Sequence, residues 1–533
     1  MPKLTIDQRE VEVPPGTTIL EAARKLHIEI PTLCHREGVA PSTSCLVCMV
    51  KISGVNRLVP SCATMAVDGM KIESETEEVH QVRRSALELL LSDHLGDCLA
   101  PCYIACPARM DIPLMLRQIA AEDLGAAVAT VKNDIALPAV LGRICPAPCE
   151  KACRRRPADG AVAICRLKRF VADVDLAGAD PYLPECRSDS GRRVAIVGAG
   201  PTGLAATYYL RRQGHACTIF DENQQPGGRL RRETTEDQLP RQVLDAEIEQ
   251  ILRLGVELCL DIRVDGKEAS DDLQNEFDAI LIACGRSAAD QAEAWGLDLS
   301  SRGIAVEKAS YQTGMRRVFA AGGAIRASGL VVRSVADGKE AAVSIDQLLR
   351  GQPVTGPKQP FNTKIGRLEA EELLQLTAAA GESPLRDPAD GPDAGYAWGE
   401  AIEQAARCLH CDCRKLESCK LRKYAALYGA DPRRYPAPRR AFHLDRQHAE
   451  IIYEPGKCIA CGLCVEIAAV ASEPLGLTFI GRGFDVRVGV PLDGSLRDAL
   501  AKVAAECVEA CPTAALSRGE NTSKEAALRE PAV

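Results

Sequence analysis

Aromatic side chains make up only 4% of this 533-residue chain, with two tryptophans among them, so its cores must be built from aliphatic residues. Base is outnumbered by acid, 65 against 73, for a net charge of −8. That argues against nucleic acid as the main partner, because phosphate binding needs a basic surface. No run of about 18 apolar residues occurs, and the opening MPKLTIDQREVEV has no apolar signal segment. These absences predict a soluble cytoplasmic protein with no transmembrane segment. No Ser-His-Asp arrangement, carboxylate pair or lysine motif offers a substrate-converting site, so no catalytic residue is assigned.

Cysteine, by contrast, is abundant. The 24 cysteines fall in tight C-x2-C or C-x3-C groups, a spacing that converges thiolates on a metal or cluster in a reducing compartment rather than bridging distant segments. The chain is also long enough for several domains. One stretch organises it, Arg193 to Arg229. Val194 to Val197 reads as a buried strand, Gly198-x-Gly200-Pro201-x-Gly203 opens a helix, and a second strand from Cys217 to Phe220 ends on Asp221. The first glycine turns tightly, the second lets a pyrophosphate approach the helix N-terminus, and the third allows close helix–strand packing. Asp221 stands where a ribose hydroxyl is held. Gly227-Gly228 follows, resembling many FAD-binding folds.

At the N-terminus, two short alternating strands, Lys3 to Ile6 and Glu10 to Val13, precede a helix from Thr18 to Leu26. Cys34, Cys45, Cys48 and Cys62 then give C-x10-C-x2-C-x13-C, which suits a [2Fe-2S] cluster; a structural zinc site is the alternative. The segment resembles the [2Fe-2S] domain of the large iron–sulfur subunit of complex I and of iron hydrogenases. That resemblance implies electrons arriving from a flavin-bearing NADH-oxidising partner.

An amphipathic helix, Glu78 to Leu91, leads to His94, Cys98, Cys102 and Cys106, followed by Cys145, Cys149, Cys153 and Cys165. This pattern resembles the helical two-cluster domain of the glutamate synthase small subunit and dihydropyrimidine dehydrogenase, in which two [4Fe-4S] clusters are interleaved. The resemblance implies one cluster on Cys98, Cys102 and Cys153, and another on Cys106, Cys145 and Cys149. Cys165 would complete the second. His94 is left to complete the first, or else caps a helix. Arg154, Arg155 and Arg156 read as a solvated face, with cations beside a cluster as the alternative.

Past the glycine loop, Val243 to Leu254 reads as a helix and Phe277 to Ile282 as a strand ending at Gly285. VFAAGG, which includes Gly322 and Gly323, precedes another helix. FAD-dependent reductases place an Asp near the ribityl chain where this chain has Gly323. The glutamate synthase family also inserts a whole NADPH-binding domain between these two elements. Here only about thirty residues separate Gly285 from Val318, against the hundred or so a Rossmann domain needs, and no second glycine fingerprint exists. The chain has therefore lost its own pyridine-nucleotide domain.

A Pro-, Gly- and acid-rich linker with PLRDPADGPDAG at its centre leads to Cys408, Cys411, Cys413 and Cys419. These four read as one [4Fe-4S] site, or zinc. The basic DPRRYPAPRRAFH reads as a solvated linker or a docking surface for an acidic partner. Cys458, Cys461 and Cys464, closed by Cys511-Pro512, resemble half of a bacterial two-cluster ferredoxin. Ala468 replaces a ligand cysteine. Cys186, Cys217, Cys259, Cys284 and Cys507 read as buried packing cysteines.

The expected fold is multidomain α/β and α+β: a β-grasp [2Fe-2S] domain (1–92), a helical two-cluster domain (93–185), a Rossmann-like FAD domain (186–350), a linker (351–405), a single-cluster segment (406–445), a ferredoxin-like iron–sulfur region (446–520) and a tail (521–533). The expected cofactors are FAD, one [2Fe-2S] and four [4Fe-4S] clusters. The expected function is electron transfer within a multisubunit oxidoreductase. A diaphorase-like NAD(P)H-oxidising subunit stands on one side and a hydrogenase, dehydrogenase or similar subunit, or ferredoxin, on the other. A self-contained NAD(P)H-dependent oxidoreductase, or a scaffold with structural clusters and an empty flavin site, are the alternatives. Electron bifurcation is compatible with this set of parts but nothing in the sequence fixes the potentials it needs.

Overall fold

A computed structural model describes residues 1–55, 57–285, 292–293, 295–326, 329–380, 386, 395–436 and 438–519. The chain divides into two units: Met1–Ala100, Pro360–Gly381 and His410–Val533 form one, and Pro101–Gln359 with Glu382–Leu409 the other. Residues 1–100 and the described residues from 410 to 519 thus belong to the same unit.

In the first unit, β1 (Lys3–Ile6) and β2 (Arg9–Glu12) make an antiparallel hairpin. Asp7 and Gln8 turn it with φ of 45° and 67°, the doubly positive geometry that matches strand twist in a two-residue turn. The helix Ile19–Lys25 starts one residue later than its sequence reading, because Thr18 is its cap. The Thr18 hydroxyl accepts from the Glu21 N–H while the Glu21 carboxylate accepts from the Thr18 N–H. β3 (Met49–Ile52), β4 (Leu58–Pro60) and β5 (Lys71–Glu73) complete a sheet in the order β2-β1-β5-β3-β4, with β1 and β5 parallel. The helix Glu77–Ser92 carries a fully buried Arg83, which donates to the Tyr428 hydroxyl (2.7 Å) and the Met49 carbonyl (3.1 Å). Near the C-terminus, Ile451–Tyr453 pairs antiparallel with Leu516–Arg518 over the helices Leu463–Val470 and Ala504–Ala510.

The second unit opens with short helices, among them Pro101–Ala105, Pro138–Ile144, Pro148–Lys151 and Ile164–Ala177. A five-stranded parallel sheet follows: β6 (Arg193–Val197), β7 (Ala216–Phe220), β8 (Glu257–Cys259), β9 (Ala279–Ile282) and, beyond a ribbon of β10 (Leu299–Ser300) with β11 (Gly303–Ile304), β12 (Val318–Ala320). Its order is β12-β9-β6-β7-β8. The helix Pro201–Arg212 packs against Val331–Leu349, and glycine makes that approach possible: a Cβ on Gly338 would lie 2.3 Å from the Thr202 carbonyl oxygen.

The segment read as a linker carries two helices, Ala370–Ala379 and Trp398–Ala405. Its centre, 384–395, lies outside the described residues except for Arg386 and Gly395, as does the tail 521–533. The basic segment after it is not wholly solvated: Arg439 forks the Glu372 carboxylate at 2.8 and 2.6 Å, and Arg440 pairs with Asp93. No single helix among the described residues is long and apolar enough to cross a membrane.

One cap in the second unit gives a stability test. The helix Pro138–Ile144 has no side-chain cap of its own. Glu247 supplies it from the helix Arg241–Leu252, accepting from the Ala139 and Val140 N–H groups at 2.7 Å each. Glu247→Ala orphans both donors and is expected to cost about 2–4 kcal/mol in chemical denaturation. Burial pushes the Glu247 carboxyl up to about 7 despite those bonds. Its contribution to folding is therefore complete below the ordinary carboxylate value and declines as pH rises through about 7. Glu247→Gln is expected to flatten the dependence of Tm on pH across that interval; an unchanged slope would show that another group sets it.

Candidate flavin and cluster sites

At the C-terminal ends of the parallel strands, the second unit holds a cavity of about 180 Å³ lined by Gly198, Gly200, Pro201, Asp221, Gly228, Gly285, Gly322 and Gly323. Three glycines there act differently. A Cβ on Gly203 would meet the Gly198 carbonyl oxygen at 1.9 Å, so the helix could not begin where it does; a Cβ on Gly200 would meet nothing within 4 Å. Gly200 is therefore free on the side a ligand approaches. Gly228 sits so close that its Cβ would lie 2.9 Å from the Gly200 Cα, and the Gly227 N–H donates to the Ala199 carbonyl. Asp221 helps to shape the loop: one carboxylate oxygen accepts from the Ala199 N–H at 2.6 Å, the other from the Asn223 backbone and side chain.

Sequence reasoning did not single out one residue of this cavity, Asp337, and read another, Cys284, as a packing cysteine. Asp337, on the helix Val331–Leu349, is buried in the lining, pairs with Arg326 at 3.3 Å and accepts from the Tyr311 hydroxyl at 3.1 Å. Burial raises its carboxyl to about 6. Cys284 also lines the cavity, and burial pushes its thiol up to about 12. Arg229, Arg232, Arg263, Arg326 and Arg333 give the same walls positive charge. The glycine loop open at Gly200, the cations and the cavity at the sheet edge fit a dinucleotide diphosphate.

In the first unit, the Cys34 and Cys45 sulfurs stand 3.3 Å apart and the Cys48 and Cys62 sulfurs 3.4 Å apart, all buried. Within each pair the hydrogen bond shared with Cys45 or Cys62 pulls the Cys34 or Cys48 thiol below its ordinary range. Two close pairs suit two irons, each taking one pair.

In the second unit, Cys106, Cys145 and Cys149 line a small cavity with Lys168, and Cys165 stands 3.9 Å from the Lys168 ammonium. Burial opposes that charge, yet the sulfurs of Cys165, Cys145, Cys106 and Cys149 hold the lysine above its ordinary value. Cys102, Cys153 and Cys408 pack half-buried against the same core. Beside them, Arg155 departs from its solvated reading: it is buried, forks Asp159 at 2.7 Å through both contacts, and donates to the Arg407 carbonyl at 2.6 Å.

Cys98 and Cys413, 315 positions apart in the chain, are adjacent in the first unit, where the Cys413 N–H donates to the Cys98 carbonyl at 3.1 Å. This departs from a grouping by sequence segment, which sets Cys413 with Cys408. Cys458, Cys461, Cys464 and Cys511 lie within one another's electrostatic reach: burial first, then the neighbouring sulfurs, raise the Cys458, Cys461 and Cys464 thiols. Cys461 shares a hydrophobic core with Cys34, Cys45 and Cys419, and the Ser42 hydroxyl donates to its carbonyl at 3.3 Å. Of the cysteines read as buried packing groups, Cys217 and Cys507 are buried, Cys259 and Cys284 are partly so, and Cys186 is exposed on the polar stretch before β6. Among the described residues no three His, Cys, Asp or Glu side chains close on a point as ligands of a single ion do.

Three family models match the chain: the 2Fe-2S iron–sulfur cluster binding domain over residues 2–77, dihydropyrimidine dehydrogenase domain II with its 4Fe-4S cluster over 77–179, and the pyridine nucleotide-disulphide oxidoreductase family over 157–338. The chain is 38% identical over 220 residues (37% of its length) to the NADP(+)-dependent formate dehydrogenase subunit beta of Moorella thermoacetica, covering 31% of that protein. It is 37% identical over 192 residues (36% of its length) to the NAD-dependent dihydropyrimidine dehydrogenase subunit PreT of Escherichia coli K12, covering 46% of it. Over 98 residues (18% of its length) it is 46% identical to an NADH-quinone oxidoreductase subunit of Rhizobium meliloti, covering 12% of that protein. The chain thus spans less than half the length of each of these relatives. It is a multidomain α/β protein that joins a [2Fe-2S] domain, a [4Fe-4S] domain and a pyridine nucleotide-disulphide oxidoreductase domain, and it is similar to subunits of dehydrogenases and oxidoreductases.

Proposed function

We propose that this chain is an FAD- and iron–sulfur-containing electron-transfer subunit of a larger oxidoreductase, relaying electrons between a diaphorase-like NAD(P)H-oxidising partner and a redox catalytic subunit or ferredoxin. One observation carries the reading. The glycine-lined cavity is built for one dinucleotide, and between Gly285 and Val318 the described residues form only the β10–β11 ribbon, not a second nucleotide-binding fold. The flavin site is the set named above, with Asp337 supplying the acidic side chain that position 323 lacks. The five arginines lining the cavity, Arg229, Arg232, Arg263, Arg326 and Arg333, offset the diphosphate charge.

The mixed sheet of the first unit reads as a β-grasp domain whose Cys34, Cys45, Cys48 and Cys62 hold the [2Fe-2S] cluster. Cys106, Cys145, Cys149 and Cys165 hold one [4Fe-4S] cluster, and Cys458, Cys461, Cys464 and Cys511 another. His94, Cys98, Cys102, Cys153, Cys408, Cys411, Cys413 and Cys419 provide for two more. All 24 cysteines are free of disulfides, as a reducing cytoplasm requires. A flavin accepts electron pairs and a cluster carries single electrons, so the set converts between the two.

The second reading is a self-contained NAD(P)H oxidoreductase, favoured by the nucleotides in the relatives' names. A mild anaerobic pull-down separates the two, with FAD, iron and NAD(P)H reactivity assayed on the same sample. The relay predicts co-purifying redox subunits, and a flavin in the isolated chain that neither NADH nor NADPH bleaches. A lone protein bleached by either nucleotide would establish the second reading instead.

A further inference from the structure

We infer that His94, Cys98, Cys413 and Cys419 together hold one [4Fe-4S] cluster, assembled within the first unit from two ends of the sequence, with Cys102, Cys153 and Cys408 serving a different one. This division rests on the proposal that the chain carries iron–sulfur clusters.

The backbone brings the four together. Residues 94–99 form a loop pinned on several sides. The Leu95 N–H donates to the Gly456 carbonyl (2.6 Å), the Leu99 N–H to the Asn362 side chain (2.8 Å), and the Thr363 hydroxyl to the Gly96 carbonyl (2.6 Å). The Cys98 carbonyl receives the Cys413 N–H, and the Cys98 sulfur lies 3.3 Å from the Thr363 hydroxyl. The three cysteines are only 5–8% exposed, and none is in a disulfide. Cys419 caps the helix Lys420–Leu427, where its sulfur accepts from the Arg422 N–H at 3.4 Å and is thereby held at a fixed place on the helix N-terminus.

His94 supplies the independent observation. Its Nδ1 is buried and has no hydrogen-bond partner, an arrangement that costs stability unless something outside the chain satisfies it. Gly96 and Lys457 crowd the ring: a Cβ on Gly96 would lie 3.3 Å from His94 Nε2 and 2.9 Å from the Lys457 stem. Lys457 itself is buried and bonded to Glu454 at 2.8 Å, and Arg414 reaches the same carboxylate at 3.1 Å. The site therefore offers three cysteine sulfurs, an imidazole and nearby cations. That donor set leaves a cluster less negative than four thiolates would, and so easier to reduce.

Placement gives the site its role. Cys419 lies in the same hydrophobic core as Cys34, Cys45 and Cys461. The cluster thus stands beside both the [2Fe-2S] site and the C-terminal site, and the first and last cysteine groups of the sequence become neighbours in one relay. Within this unit electrons pass among three clusters without crossing the flavin.

The test is redox-titrated EPR of the anaerobically purified full chain. Cys98→Ser and Cys413→Ser are expected to abolish one and the same [4Fe-4S] signal, and Cys102→Ser a different one. If Cys98→Ser and Cys102→Ser remove the same signal while Cys413→Ser removes another, the division is wrong. Two measurements do not depend on the serine variants folding. In wild-type protein labelled with ¹⁵N-histidine, pulsed EPR is expected to detect a histidine nitrogen coupled to one cluster; no coupling would remove His94 from the set. His94→Cys is expected to retain full iron and lower that cluster's potential, and an unchanged potential would again count against the imidazole. A wild-type protein with no [4Fe-4S] signal at all would instead overturn the proposed function on which this division depends.

Discussion

Gly200→Leu is expected to strip FAD from the purified protein while its iron content and fold remain those of wild type. The argument is spatial. Nothing in the protein lies within 4 Å of a Cβ at position 200, and its φ of −81° is one any residue adopts. The folded chain leaves the first side-chain atom free, and the branch extends into the space a ligand at the helix N-terminus would take. Flavin occupancy should fall by at least about tenfold, the equivalent of roughly 1.4 kcal/mol or more in affinity. Gly203→Ala is the contrasting control. Its Cβ would meet the Gly198 carbonyl at 1.9 Å and the Ile196 side chain at 3.1 Å, so the whole unit should lose stability, by about 3 kcal/mol. Flavin fluorescence after filtration, with iron analysis and circular dichroism on the same samples, distinguishes the two. Retention of stoichiometric FAD by Gly200→Leu would mean that the cavity does not take a diphosphate at that loop.

The second large effect is on iron. Cys461→Ser should remove one [4Fe-4S] cluster, about four irons per chain, and leave the flavin in place. It should also disturb a signal it does not abolish. Cys461 shares a core with Cys34 and Cys45, and Cys34 is among the groups that raise its thiol, after burial and the closer sulfurs. Loss of the C-terminal cluster therefore removes a paramagnetic neighbour of the [2Fe-2S] cluster, whose EPR relaxation should slow. Unchanged iron would sink the ligand assignment. Unchanged [2Fe-2S] relaxation alongside lost iron would mean that the two clusters are not neighbours.

This adjacency changes how the chain is organised. In sequence order the flavin stands between two sets of clusters, which invites a linear path through it. In the structure the N-terminal and C-terminal cysteine groups belong to one unit, and the glycine-lined cavity belongs to the other together with Cys106, Cys145, Cys149 and Cys165. The first and last cysteine groups of the sequence are therefore not separated by the glycine-lined cavity as their order in the chain suggests.

What the sequence determined by itself was every feature whose physics is local. The glycine loop was legible because strand, turn, helix and acid must follow one another within one βαβ segment. The cysteine groups stood out because their members lie a few residues apart, but which of them meet is not set by that spacing, since Cys408 and Cys413 fall in different units. Helices such as Glu77–Ser92 were legible because a threonine cap and a 3.6-residue apolar period act within a few turns. Tertiary structure alone decided the rest. Position 323 has a glycine where an acid was looked for, while Asp337 reaches the cavity lining from a later helix, whose Gly338 packs against Thr202. The cap of Pro138–Ile144 comes from Glu247, and the neighbour of Cys98 is Cys413. Each of these pairs residues from different elements, so no periodicity or spacing records it; the partner is selected by which surfaces bury one another when the chain closes.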